Sequence, residues 1–460
     1  MGTTRSTADE YLRDAKEAFR EGAVLEALQL LLPAFAVDSE YKALYKLAAE
    51  CLQELGDPEG AALYSDAYNY PRNAATFCAL GRLHLSRSEP EVAVPFLQRA
   101  VEMQPDDMHV GMDLSIALAE SFQVDDACKV LLDFPYDTDI HAEFYYYWFS
   151  LLNGRTAGIT DFIRRAREAA ESRGYGSQSA RDLLPNIDNL EEALARFETV
   201  PSPDRLIGVW QYIQHGSVIL LPDDESRDED GELVAGGRWV YLNPPLAMIA
   251  QTLRRLKRYL TEMNRYPTSV LGLWDRDSEV IARAVALVLD VPCRQATARN
   301  VVREDCLIVA ARSSYFHYPL LEQVQPGQTL FALDCDWLHP STYTPDIVGF
   351  MTQQCFLPWS DEKAEFEELV EQTLGDEFEI ETEEEPGEAE SDDTEELWPD
   401  EIARNIAAEP EVDDPAFEAT LGFYKQRADY LKGGKLGGRK RLPFRTESPV
   451  PGRYFIFGLA

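Results

Sequence analysis

Positive charge is scarce in this chain: 43 basic residues stand against 81 acidic ones, for a net charge of −38, and arginine outnumbers lysine by about three to one. Such a surface argues against general attraction to nucleic acid or to an anionic membrane, both of which require clustered cations. No run of about 18 apolar residues is present, so no bilayer-spanning helix is predicted. The opening MGTTRSTADEYLRDAKEAF has no apolar centre of a secretory signal. It fits the short myristoylation pattern at Gly2 and Ser6, and the expected location is cytoplasmic. The seven cysteines form no C-x-x-C pair and are odd in number, which predicts reduced, mostly buried thiols. No G-x-S-x-G elbow, H-E-x-x-H helix or Walker loop occurs, so three common catalytic signatures are missing.

What is present, first, is a repeat. Ala27, Ala61, Ala93 and Ala127 recur at intervals of 34, 32 and 34 residues, and about twelve residues before each stands another small residue: Ala15, Ala49, Gly81 and Ser115. Small side chains at two such places let the helices of an antiparallel pair approach closely, and each pair leaves an apolar face that the next pair covers. The unit FCALGRLHLSRSEPEVAVPFLQRAVEMQP carries Leu80-Gly81, Ala93, Leu97, Ala100 and Pro105. On these residues the stretch resembles the tetratricopeptide repeat family, over residues 8–200. The resemblance implies an α-solenoid whose concave groove binds a peptide or protein.

Beyond PSPDR at 201–205 the period changes. LIGVWQYIQHGSVILLP and GRWVYLN read as strands of a hairpin around an acidic tip, and helices then alternate with the strands TSVLGLW, DCLIVAA and QTLFALD. This alternation predicts a three-layer α/β domain with a mainly parallel sheet over residues 206–360. TPDIVGFMTQQCF reads as helical or irregular. Residues 361–401 hold 21 acidic residues against Lys363 alone, so 361–404 is read as an acidic, partly disordered linker. A basic and aromatic segment, 405–460, follows, in which GRYFIFG is a candidate extra strand.

The chemistry is thinner. TSVLGLWDRDSEVIARAVALVLDVP resembles the strand-loop-helix that phosphoribosyltransferases use near pyrophosphate. That family also keeps two acidic residues and a T-G-G/T loop after a later strand. Here Asp334 and Asp336 occupy such a strand end, but the following loop has no glycine before Gly349. An anion needs converging backbone N–H groups, and Asp275, Asp277 and Glu279 would repel it, so the domain is expected to be non-catalytic and to need no cofactor. The alternative is an enzyme with a Rossmann-like or phosphoribosyltransferase-like domain working around Asp275, Asp277, Asp334, Asp336 and His339, to which the helical repeat recruits substrate. Asp334, Cys335, Asp336 and His339 could suggest a metal, but strand alternation points Cys335 away from both aspartates, and no metal is expected. The basic run with Lys432, Lys435, Arg439, Lys440, Arg441 and Arg445 is a solvated tail, an internal counter-ion or a grip on nucleic acid, the last disfavoured by the acidic stretch upstream.

The groove is the better candidate site. The resemblance places Lys16, Arg20, Lys46 and Arg82 on it, with the apolar Leu12, Phe19, Leu85, Met112 and Ile116. The cations would suit an acidic peptide or protein partner, or else pair locally with Glu17, Glu50 and Glu54. The chain's own acidic segment 376–401 is a possible intramolecular occupant.

Overall fold

The computed structural model describes residues 2–172, 177–200, 203, 206–222, 236–302, 305–338, 341–360, 398–432, 440–450 and 452. His339, Lys435, Arg439, residues 376–397 of the acidic segment and the GRYFIFG run after Gly452 lie outside them.

Paired helices fill the first part: α1 (Gly2–Glu21), α2 (Val24–Val37), α3 (Lys42–Glu54), α4 (Pro58–Asn69), α5 (Ala74–Ser86), α6 (Pro90–Met103), α7 (Met108–Glu120), α8 (Val124–Leu132), α9 (Ile140–Leu152) and α10 (Ile159–Glu171), followed by α11 (Ser177–Glu198). Each pair opens on a polar stop signal where the chain allows one. Asn73, Asp107 and Asp139 turn their side chains onto the first free N–H groups of α5, α7 and α9, at 2.8–3.2 Å. Each hairpin has a left-handed residue at an equivalent place, Gly22, Gly56, Ser88, Phe122 and Gly154, and the fifth has a second, Gly158. The equivalent residues are again 32 or 34 residues apart, so the period extends into the fifth pair, where the alanine spacing fails. Glycine suits that conformation, whereas Ser88 and Phe122 adopt it at a steric cost.

The small residues act as the repeat requires. A Cβ placed on Gly81 would stand 2.3 Å from Cγ of the fully buried Leu97, so α5 and α6 touch where only hydrogen fits. Gly81→Val is expected to lower stability by about 1–3 kcal/mol, the range for overpacking a filled core. Gly422→Ala, at a helical glycine with nothing within 4 Å of the added methyl, should be neutral or stabilising. Urea unfolding of the two variants separates the outcomes. Stacking is not uniform along the pairs, because α2 also packs directly on α6. Phe35 and Phe96 lie 5.1 Å apart there, and Arg99 donates to Pro71 O at 2.8 Å.

The second part begins with α12 (Ile207–His215), then β1 (Val218–Ile219), β2 (Trp239–Leu242), α13 (Leu246–Glu262), β3 (Ser269–Gly272), α14 (Arg276–Leu289), β4 (Cys293–Gln295), β5 (Cys306–Arg312), β6 (Thr329–Asp336) and β7 (Ile347–Cys355). The seven strands form one parallel sheet in the order β4-β3-β5-β6-β7, with β1 and β2 sharing the outer side of β7. Two readings are corrected here. The expected hairpin is absent: 207–215 is helical, and β1 and β2 each pair with β7 instead of with each other. Residues 347–355, read as helical or irregular, form a long interior strand whose Gly349 lets the Leu333 carbonyl approach to within 2.3 Å of a built Cβ. The continuous burial of that strand on both faces removes the alternation by which strands are read.

After the acidic stretch, α15 (Pro399–Ala408) packs on α14, and α16 (Ala416–Gln426) follows. Cations of α13 hold this return. Arg255 grips Asp414 with two bonds of 2.6 and 2.9 Å, Arg258 pairs with Glu418, and Arg254 donates to Pro410 O.

Two large cores result. One, centred on Phe35, Tyr45, Tyr64, Phe77 and Phe96, belongs to α1–α7. The other runs without a break from α6–α11 through α12 and one face of the sheet to Val450. The opposite sheet face is covered by Ala296, Val301, Phe316 and Leu321. Six of the seven cysteines are buried and all seven are free thiols. Among the described residues, no helix is long and apolar enough to cross a membrane.

Candidate functional site

In a parallel sheet, ligands sit beyond the carboxyl ends of the strands, near the point where strand order reverses. That point lies between β3 and β5; of the four described aspartates of the alternative site, Asp275 and Asp277 follow β3, and Asp334 and Asp336 end β6, on the far side of β5. Their side chains are largely occupied. Asp275 caps α14 by accepting from Ser278 N at 2.7 Å, and Asp277 accepts from the Trp359 indole at 2.8 Å. Asp336 accepts from Leu338 N at 2.8 Å.

Asp334 differs. It is buried, lies in register with Arg312 across the β5–β6 ladder, and accepts from Thr352 Oγ1 at 2.8 Å. Burial, with a contribution from Asp336, pushes its carboxyl up to about 8, so it carries a proton at neutral pH. Strand alternation divides β6 as expected: Phe331, Leu333 and Cys335 face the core shared with the helices, whereas Leu330 and Ala332 face the other way, on the side of Asp334. Among the described residues no group of three or more histidine, cysteine or carboxylate side chains is arranged to hold a metal.

The residues assigned to the repeat groove fall into three sets. Lys16 and Arg20 on α1 and Lys46 on α3 are exposed, and Lys46 makes an i,i+4 pair with Glu50 at 3.5 Å. Arg82 on α5 is exposed but held by Asp113 at 2.6 Å. Leu12 is buried, and Phe19, Leu85, Met112 and Ile116 are half-buried against the cores.

Farther along the same series, the helices are covered by the chain's own end. Arg445 lies over the rings of Phe144 and Trp148, 5.4 and 5.1 Å from their centroids, and bonds Asn186 at 3.1 Å and Glu447 at 2.9 Å. Gln214 donates to Glu447 O at 2.7 Å, and Phe444 stacks on His215. Burial and the nearby Glu447 push Glu120, at the end of α7, up to about 8. Phe122, in its left-handed turn, meets Trp337 at 5.9 Å and the buried Arg238 guanidinium at 4.9 Å. Among the described residues, it is thus Arg445 of the 440–450 segment that rests on α9 and α11. The described end of the acidic stretch sits elsewhere, with Asp400 paired to Arg283 of α14.

Sequence reasoning named Arg445 within the basic run but missed Asp346, Glu447 and Glu120. Only the basic run around Arg441 hinted at them, through the internal counter-ion reading. Arg441 is indeed fully buried and bonded to Asp346 at 2.7 Å. No protein-family model matches the chain, and no curated protein matches it in sequence.

Proposed function

We propose that the chain is a binding scaffold whose N-terminal helical hairpins capture an acidic peptide or protein, with the α/β domain as a non-catalytic support. The observation that carries this reading is the unequal use of charge. Three of the four described strand-end aspartates are bonded to a backbone N–H or an indole, whereas Lys16, Arg20 and Lys46 project from α1 and α3 into solvent. The hairpins α1–α6 also have a core largely their own, with no strand residue in it.

The full chain carrying Lys16→Glu and Lys46→Glu tests it. Captured acidic partners should fall by about tenfold or more, with wild-type capture weakening as salt rises. Asp334→Asn should leave capture unchanged. Equal capture by the charge-reversed chain would overturn the reading. The buried, protonated Asp334 beside Arg312 favours a second reading, an enzyme working at the strand ends. In that case Asp334→Asn abolishes turnover of the recruited substrate while capture persists.

A further inference from the structure

We propose that the N-terminal hairpins contain a separate ligand site, a cavity of about 480 Å³ between α2, the α3–α4 turn and the α5–α6 turn, that takes an alkyl chain bearing a cationic head. This goes beyond the scaffold reading, because the cavity is distinct from the face that carries Lys16, Arg20 and Lys46. Its size falls within the range of pockets that enclose small ligands.

The wall is aliphatic. Leu28 and Leu52 are buried, Leu32 and Leu55 are half-buried, and Pro58 completes it. An alkyl chain entering here exchanges water for leucine side chains, the ordinary driving force of apolar burial.

The polar side fixes the charge of the head. Glu89 and His84 Nδ1 are 2.6 Å apart, and Tyr64 Oη lies 2.8 Å from His84 Nε2. A carboxylate only accepts, so Nδ1 donates to Glu89, and Nε2 shares its hydrogen bond with the Tyr64 hydroxyl. Arg87 donates to Asp57 at 2.6 Å, and Asp57 also caps α4 at Gly60 N. The His84 ring and the Arg87 guanidinium are thus both turned onto carboxylates of the cavity itself. Glu59, exposed at the rim, has no partner among the described residues. Three carboxylates, Asp57, Glu59 and Glu89, stand against one guanidinium and one imidazole. An anionic head meets an excess of negative charge. An ammonium finds acceptors.

Isothermal titration of the full chain with octylammonium, octanoate and octanol tests the assignment. Octylammonium is expected to bind at one saturable site, about tenfold or more tighter than octanoate. Hexylammonium should bind about fifteenfold more weakly, since it lacks two methylenes and each carries roughly a fourfold effect. Leu32→Trp, which fills the cavity from its half-buried wall, should remove binding. Glu59→Lys alters only an exposed side chain, so it stays informative should the tryptophan variant melt early. It should weaken octylammonium and strengthen octanoate. No saturable octylammonium binding up to about 10 mM, an octanoate affinity equal to it, or indifference to Glu59→Lys would each overturn the proposal. None of these results bears on capture through Lys16 and Lys46.

Discussion

Arg441→Ala is expected to lower folding stability by about 3–5 kcal/mol, the cost of leaving one member of a buried ion pair alone. The guanidinium bonds both Asp346 carboxylate oxygens, at 2.7 and 3.3 Å, and also the Leu321 and Gln323 carbonyls and the Gln328 side chain. Asp346 in turn accepts from Leu330 N at 2.8 Å. One side chain thus ties the C-terminal return to β6, to the lead into β7 and to the turn before Gln323. Removing it strands a carboxylate that is 4% exposed and three acceptors besides. Lys440→Ala, one residue earlier, loses an exposed pair with Glu322 and should cost less than about 1 kcal/mol. Adding Asp346→Asn to Arg441→Met should recover part of the loss, because the amide oxygen still serves Leu330 N and no charge is left unpaired. Urea midpoints for the four chains test this. A loss from Arg441→Ala no larger than that from Lys440→Ala would show that the pair is not a fastening.

The second large effect depends on pH. The Asp334 carboxyl rises from 3.8 in the open chain to about 8 in the folded one. Between those values the folded protein holds a proton that the unfolded chain has released, so stability falls as pH rises from about 4 and levels off above about 8, at up to about 1.4 kcal/mol per pH unit. Asn keeps the shape and the bond from Thr352 but has no charge to desolvate. Asp334→Asn should therefore match the wild type near pH 4 and exceed it by a few kcal/mol at pH 8. Some slope will remain in the variant, because Glu120 is raised in the same direction. Denaturation curves at the two pH values decide the matter. An equal difference at both would mean that the carboxyl is not protonated in the folded state.

The repeat was legible because its cause is local. A small residue is needed wherever two helices touch, and Gly81 against Leu97 shows the contact that imposes it. The left-handed turn was only half legible. Gly22, Gly56 and Gly154 announce it, but Ser88 and Phe122 occupy the same place with no glycine to mark it. The parallel sheet was legible from its alternation with helices. Its edge and β7 were not: β1 is two residues long, and β7 is apolar on both faces, so neither carries a period of two. Of the candidate site, the sequence located the strand-end aspartates without their partners. The Trp359 indole on Asp277 lies 82 residues away in the chain, and Thr352 lies 18 residues from Asp334. The tail was the least legible part, because Arg445 packs on rings about 300 residues earlier, a pairing that no local pattern encodes.

Residues 440–450 lie in the seam where α9, α11 and α12 meet the α/β domain, and Arg445 is translated about 300 residues after the rings it covers. The aromatic knot of α1–α6 can consolidate while translation is under way. The following hairpins must wait, with Phe144 and Trp148 lacking the Arg445 side chain, until residue 445 has been made. A stop codon just before residue 440 would therefore disturb helices about 300 residues upstream of it.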